Sequence, residues 1–247
     1  MKRFGIIWCM EIEGVEALKQ AFASTFSQCQ ENWDILEPRK DDLIAAAQVY
    51  DGFVISGGPQ SVVRDRNASS MKKLFEFVAH IERETTLPIV GVCLGSQLLA
   101  EALGGSVRLN KSEGFRLGIS ALKWTAQAKQ SLPHDTKARP VVAECHEECV
   151  ASLPRNSIVL ASAPENENEV FLISDRFLGI QGHPELSEAL FRQTLMQVHR
   201  DELSSEEWEK AKEEVAWPVS PRPLVNLARK LLLNNKLQMK QHGLSNC

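Results

Sequence analysis

The chain has 247 residues, 43% of them hydrophobic and 24% charged, with a formal net charge of −4. That supplies apolar material for one large or two small packed units, and so mild an acidity leaves no electrostatic footprint for nucleic acid. No apolar run reaches the ~20 residues that a membrane-crossing helix needs.

The N-terminus, Met-Lys-Arg-Phe-Gly-Ile-Ile-Trp-Cys-Met, is basic and then apolar, but Glu11 and Glu13 cut the run too short for a secretory signal. Phe4 to Trp8 therefore reads as a first strand. Val15 to Phe26 carries apolar residues at helical spacing, and Trp33 to Leu36 is a second strand ended by Pro38. Asp41 or Asp42 can cap a short helix running to Val49. Gly52 to Ser56 is a third buried strand, Ser69 to Glu82 an amphipathic helix, and Pro88 to Val92 a fourth strand followed by a helix over Ser96 to Leu103. Strands alternating with helices in this way predict a mostly parallel sheet covered on both faces.

From Gly105 the rhythm changes. Val107–Leu109, Ile119–Trp124, Val141–Cys145, Ile158–Ala161, Val170–Ile173 and Phe177–Ile180 are short strand candidates with few helices between them, so mixed and antiparallel pairing is expected. Leu186 to His199 returns to helix. Ser204-Ser-Glu-Glu207 reads as a capping box before Trp208 to Val215. The Glu-rich stretch from Glu202 to Glu214 reads as a solvated helix face. Pro218, Pro221 and Pro223 interrupt the chain ahead of a last helix, Leu224 to Leu233, and a polar tail from Asn234 to Cys247. The expected organisation is a catalytic domain over residues 1–200 and a helical extension with a polar tail over 201–247.

Six cysteines (Cys9, Cys29, Cys93, Cys145, Cys149 and Cys247) are scattered without a disulfide-framework spacing, so a reducing, cytoplasmic setting is the default. Cys145-His146 followed by Cys149 has no second pair to complete four metal ligands, and no metal or other cofactor is expected.

Cys93 is the most informative of the six. It stands where the strand Pro88–Val92 turns abruptly into a helical pattern, flanked as Gly91-Val-Cys-Leu-Gly95. A nucleophile elbow has this form: a tight strand-to-helix turn holds the reactive side chain above the sheet edge, where the positive end of the helix dipole and unpaired N–H groups face it. A cysteine nucleophile needs a base, and the base needs an orienting group. Of six histidines, His183 follows the apolar strand Phe177–Gln181 in the turn Gln181-Gly-His-Pro-Glu185, at a strand's carboxyl end where α/β sites are built. Glu185, two residues on, can point back at the imidazole. The turn Ser56-Gly-Gly-Pro59 lies at a third strand end. A glycine N–H there, with the N–H of Leu94 behind the nucleophile, would make an oxyanion hole.

Together, in this order, Ser56-Gly-Gly-Pro-Gln-Ser61, Gly91-Val-Cys-Leu-Gly-Ser-Gln97 and Gly179-Ile-Gln-Gly-His-Pro-Glu185 resemble the class I, triad-type glutamine amidotransferase superfamily over roughly residues 3 to 200. The resemblance implies a flavodoxin-like α/β fold. It implies Cys93 as nucleophile, His183 as general base and acid, Glu185 as its orienter, Gly58 and Leu94 as oxyanion donors, and Gln97 as a contact to the substrate's glutamyl group. Tyr50-Asp-Gly-Phe-Val-Ile-Ser-Gly57, Cys145-His146 with Val150, and Leu178–Glu185 are similar to the stand-alone GMP-synthase-like group that includes γ-glutamyl peptidases, which adds His146 as a substrate-binding position. The peptidases read H-Q-D-E-V where this chain has His146-Glu-Glu-Cys-Val150, and S-G-S-x where it has Ser56-Gly-Gly-Pro59. The implied activity is hydrolysis of a γ-glutamyl amide through a thioester on Cys93, with glutamine or a γ-glutamyl peptide such as glutathione or its conjugates as substrate. Two further readings use the same fold: a glutaminase subunit supplying ammonia to a separate synthase chain, and a non-catalytic binding module.

Overall fold

The computed structural model describes residues 1–10, 14–110, 114–237 and 239. The expected break at Glu11 and Glu13, and most of the polar tail, lie outside the described residues.

Four strand-to-helix units open the chain: β1 (Lys2–Ile7) and α1 (Glu16–Phe26), β2 (Glu31–Leu36) and α2 (Leu43–Ala46), β3 (Gly52–Ile55) and α3 (Ser69–Glu84), β4 (Ile89–Val92) and α4 (Leu94–Ala102). Strands β5 (Ser106–Leu109), β6 (Arg116–Ala121) and β7 (Lys123–Trp124) follow, then α5 (Ala126–Ser131). Next come β8 (Val141–His146), β9 (Glu148–Ser152), β10 (Ser157–Ser162), β11 (Val170–Ile173) and β12 (Phe177–Ile180). The chain closes with α6 (Glu188–Gln193), α7 (Leu195–Val198), α8 (Ser205–Glu214) and α9 (Arg222–Asn234).

The main sheet has eight strands in the order β2-β1-β3-β4-β12-β11-β10-β7. From β2 to β12 every neighbour is parallel; from β12 to β7 every neighbour is antiparallel. Two antiparallel pairs, β5·β9 and β6·β8, stand apart from it. Buried side chains divide by strand parity, as a period of two requires. Val54, Val90, Val92, Leu178 and Ile180 join one core cluster, while Phe53, Ile55, Ile89 and Phe177 join the other. Both faces are dry, which is why β3, β4 and β12 are continuous apolar runs rather than alternating ones.

The chain after residue 200 enters the first of these cores. Ala211, Val215, Leu224, Leu227 and Leu231 belong to the same cluster as Phe4 and Val90. Ser204 caps α8 in the expected capping box. Glu214, however, does not share the solvated face: it turns inward to Arg116 at 2.7 Å and accepts from the Ile119 N–H at 3.1 Å. On α9, Arg229 meets Glu31 at 2.8 Å and also donates to the Phe26 carbonyl. Burial pushes the Glu31 carboxyl up, but hydrogen bonds from Arg229 and Trp33 hold it below its ordinary value. Arg229→Ala strands that carboxylate, so it is expected to cost about 3 kcal/mol. A urea denaturation curve reads this, and a loss below about 1 kcal/mol would contradict the pairing's role.

Several elements differ from the sequence expectation: the strand expected over Ile119–Trp124 is divided between β6 and β7, and the helix expected to reach Val49 ends at Ala46. The helix expected over Leu186–His199 breaks at Thr194, whose backbone leaves helical geometry at φ −118°, ψ −86°. Thr194 Oγ1 bonds back to the Leu190 carbonyl at 2.6 Å, a competing local bond that bends helices. Strand β9 was hidden because it begins with a charged residue, Glu148, that is nonetheless buried. Helix α5, capped by Thr125, is too short to show a helical period.

Candidate active site

Strands β3, β4 and β12 end side by side, and each delivers one part of the site at its carboxyl end. Val92 on β4 pairs with Ile180 on β12, and the Cys93 N–H donates to the Ile180 carbonyl at 2.8 Å. Cys93 therefore leaves the sheet at its edge with φ 49° and ψ −108°. A non-glycine residue there carries roughly 1–3 kcal/mol of backbone strain, which the surrounding packing must hold.

That packing depends on missing side chains. A Cβ on Gly91 would run into the carbonyl group of Gly95, and a Cβ on Gly95 into the carbonyl oxygen of Ile55. Helix α4 can pass this close to β3 and β4 only with glycine at both places. Gly91→Ala is expected to lower stability by about 1–3 kcal/mol and to displace the thiol, read together from denaturation and from alkylation rates. Unchanged values in both would contradict the close approach.

Helix α4 begins at Leu94, earlier than expected, because the Cys93 carbonyl already accepts from the N–H groups of Ser96 and Gln97 at 2.9 and 3.1 Å. The Leu94 and Gly95 N–H groups come before these first helical bonds, so the helix itself does not satisfy them. At the end of β3, Gly57 packs against both reactive side chains, which interact directly with each other. A Cβ built on it would stand 3.0 Å from His183 Cε1 and 3.5 Å from Cys93 Cβ. Gly58 lies against Leu94 instead, where a Cβ would stand 2.9 Å from Leu94 Cδ2.

His183 is fixed on both sides. Its N–H donates to the Ala143 carbonyl on β8 at 2.8 Å, and Nδ1 contacts Glu185 Oε1 at 2.7 Å. Nε2 is buried without a hydrogen-bond partner among the described residues. Burial alone would push the imidazole's pKa down. The charges of Glu185 and Cys93 outweigh it and raise His183 well above its ordinary value. The Cys93 sulfur is 3.7 Å from the Cys145 carbonyl oxygen and 3.8 Å from Gln181 Nε2.

The remaining expected residues form the walls. Gln97 Nε2 donates to the Glu148 carbonyl at 2.7 Å and to Gln181 Oε1 at 3.3 Å. The Glu148 carboxylate in turn holds the loop after Gly58, accepting from the Ser61 hydroxyl and from the Val62 N–H at 3.2 Å. The His146 ring is buried, with Nε2 3.4 Å from Glu144 and Nδ1 3.4 Å from the Asn110 amide. Burial lowers His146 to about 4 and raises Glu144 to about 7, so at neutral pH the ring is uncharged. Gln181 and Gly57 were not singled out from the sequence. Both sit inside the quoted motifs, and only the fold shows that they touch the thiol or stand beside it.

The glutamine amidotransferase class-I family model matches residues 13–201. The chain belongs to this family. It is 29% identical over 202 residues to γ-glutamyl peptidase 3 of Arabidopsis thaliana, covering 77% of this chain and 78% of that protein. It is also 29% identical over 140 residues to a glutamine-hydrolysing GMP synthase of Wolbachia pipientis, covering 56% of this chain but 26% of the synthase. Among solved structures, a glutamine amidotransferase from Methylobacillus flagellatus superposes over the whole of both chains, with a TM-score of 0.71 at 20% identity. That agreement bears on the fold, the α/β architecture expected from the sequence. Among the described residues no helix is long and apolar enough to cross a membrane.

Proposed function

We propose that this chain hydrolyses a γ-glutamyl amide, with Cys93 as nucleophile, His183 as general base and acid, and Glu185 as the group that orients His183. The observation that carries the reading is Cys93, strained at φ 49°, in direct interaction with a His183 whose Nδ1 is held 2.7 Å from Glu185, with Gly57 leaving room beside both. Membership of the amidotransferase family and similarity to a γ-glutamyl peptidase support it.

The Cys93 thiolate attacks the δ-carbonyl carbon of the substrate. The resulting oxyanion is received by the N–H groups of Gly58 and Leu94. With Nδ1 held by Glu185, His183 uses Nε2 to protonate the leaving amine, and the C–N bond breaks to give a γ-glutamyl thioester. His183 then takes a proton from water, the hydroxide attacks the thioester, and glutamate leaves as Cys93 is restored. Gln97 shapes the wall facing the glutamyl group through Gln181, and His146, its ring nitrogens turned to Glu144 and Asn110, lies behind that wall at the end of β8. The reaction needs a reduced thiol, which fits the cytoplasmic setting expected from cysteine usage.

The substrate is glutamine or a γ-glutamyl peptide such as glutathione or its conjugates. Both leave the same thioester, so the test is glutamate release from glutamine, glutathione and a glutathione S-conjugate, each with wild type and Cys93→Ala. Cys93-dependent release from the peptides with little from glutamine would establish a peptidase. Preference for glutamine would favour an ammonia-supplying subunit, a reading motivated by the chain's match to about a quarter of a glutamine-hydrolysing GMP synthase. Release that persists in Cys93→Ala would overturn the mechanism.

A further inference from the structure

Behind the His183 turn lies a cluster that the proposed chemistry does not use. Glu144 and His146 are two residues apart on β8 and share one face of it. Glu169 precedes β11 and approaches them from the other side. One ligand-capable atom from each of the three lies within 4.8 Å of the others. All three are buried, Glu144 and Glu169 with 1% of their surface exposed and His146 with 7%.

The carboxylates are poorly matched by protein groups. Among the described residues no fixed donor satisfies either oxygen of Glu144 or Oε2 of Glu169. The two carboxyl groups face each other, so that a shared proton is what a bound ion would replace, and Glu169 Oε1 accepts from Asn166 Nδ2 at 2.8 Å. Arg116 is the cation nearest in influence, but its guanidinium is committed to Glu214, the carbonyls of Leu117 and Ile119, and the Ser120 hydroxyl. Buried acceptors without partners are costly, and a bound ion is one of the few ways native structures satisfy them.

We infer that Glu144, His146 and Glu169 bind one divalent transition-metal cation of the zinc type. Two carboxylates balance its charge, and an imidazole nitrogen completes a three-ligand set of the kind that zinc accepts with further positions open to water. Ligands about 2.1 Å from such an ion stand about 3.4 Å apart in tetrahedral geometry, so spacings of up to 4.8 Å must close by as much as about 1.4 Å when it binds. His146 Nε2 faces Glu144 and is the ligating atom, with the ring's hydrogen bond to the Glu148 backbone as its outer partner.

The site's place in the fold makes it a staple. The Glu169 carbonyl accepts from the Gln181 N–H at 2.8 Å, and the Ala143 carbonyl accepts from the His183 N–H at 2.8 Å. A Cβ on Gly182 would stand 3.1 Å from both carboxylate oxygens of Glu144. A cation here ties β8 and the approach to β11 together, directly under the backbone that carries His183.

Cobalt(II) titration of chelator-treated, folded Cys93→Ser protein tests this, because that variant cannot bind metal through the active-site thiol. One equivalent per chain is expected, with ligand-field absorption but without the thiolate-to-cobalt charge-transfer band. Zinc is expected to raise the Tm of wild type by roughly 5 °C, and Glu169→Gln to weaken binding at least ~10-fold. Absence of a saturable cobalt signal overturns the site. A signal that carries the thiolate band, or one that survives Glu169→Gln undiminished, places the metal elsewhere and also overturns it. If Glu169→Gln does not fold, the titration of the Cys93→Ser protein decides alone.

Discussion

Cys93→Ser is expected to lower γ-glutamyl hydrolysis by about 10⁴-fold, since removing the nucleophile of a triad leaves only binding and oxyanion stabilisation. The fold should survive the change. Serine has nearly the shape of cysteine, and the strained backbone at φ 49° is held by the Cys93 N–H bond to Ile180 and the glycine contacts of α4, none of which involve sulfur. Stability is therefore expected to move by about 1 kcal/mol. Steady-state rates and a denaturation curve on one preparation separate the two effects. Activity within about tenfold of wild type, in a folded variant, would contradict the assignment.

Glu185→Gln is expected to reduce kcat by about 10³-fold and to change the pH profile. The isosteric amide keeps the size of the group 2.7 Å from His183 Nδ1 but removes its charge. Burial pushes the His183 imidazole toward its neutral form, and the charges of Glu185 and Cys93 hold it well above its ordinary value. With one of those charges gone, the His183 pKa falls, and the basic limb of kcat/KM moves to lower pH. The effect on stability follows the same sign. A raised histidine stabilises the fold fully below its unfolded-state pKa, and the contribution fades as pH rises through the folded-state value. Glu185→Gln should lose that contribution at neutral pH. A basic limb that stays in place would show that Glu185 does not set the protonation of His183.

Much of this was legible in the sequence because the parallel strands are buried on both faces. Such strands are short apolar runs, and Phe177–Ile180 has those bounds in the structure as well, as does the equally buried antiparallel strand Val170–Ile173. The three strand ends that assemble the site each carry a motif of unusual residues: Gly57-Gly58, Gly91 and Gly95 about Cys93, and Gly182 before His183. What escaped was set by tertiary contacts. Glu148 reads as a solvent residue, yet it is buried because Ser61 and Val62 satisfy its carboxylate. Glu214 belongs by composition to an acidic helix surface, and Arg116 draws it inward. The Glu144–His146–Glu169 cluster joins residues up to 25 positions apart, and no local spacing announces it. Gln181 gains its place against the Cys93 sulfur only from the pairing of β12 with β4.

The central claim is that Cys93 carries the γ-glutamyl group between the two half-reactions. Its most direct test is intact mass and peptide mapping of protein mixed with glutamine or glutathione and quenched in acid within the first turnovers. The account predicts a mass increase of one glutamyl group, mapped to the peptide that contains Cys93 and absent from Cys93→Ser. Steady hydrolysis with no adduct, or with the adduct on another residue, would contradict it.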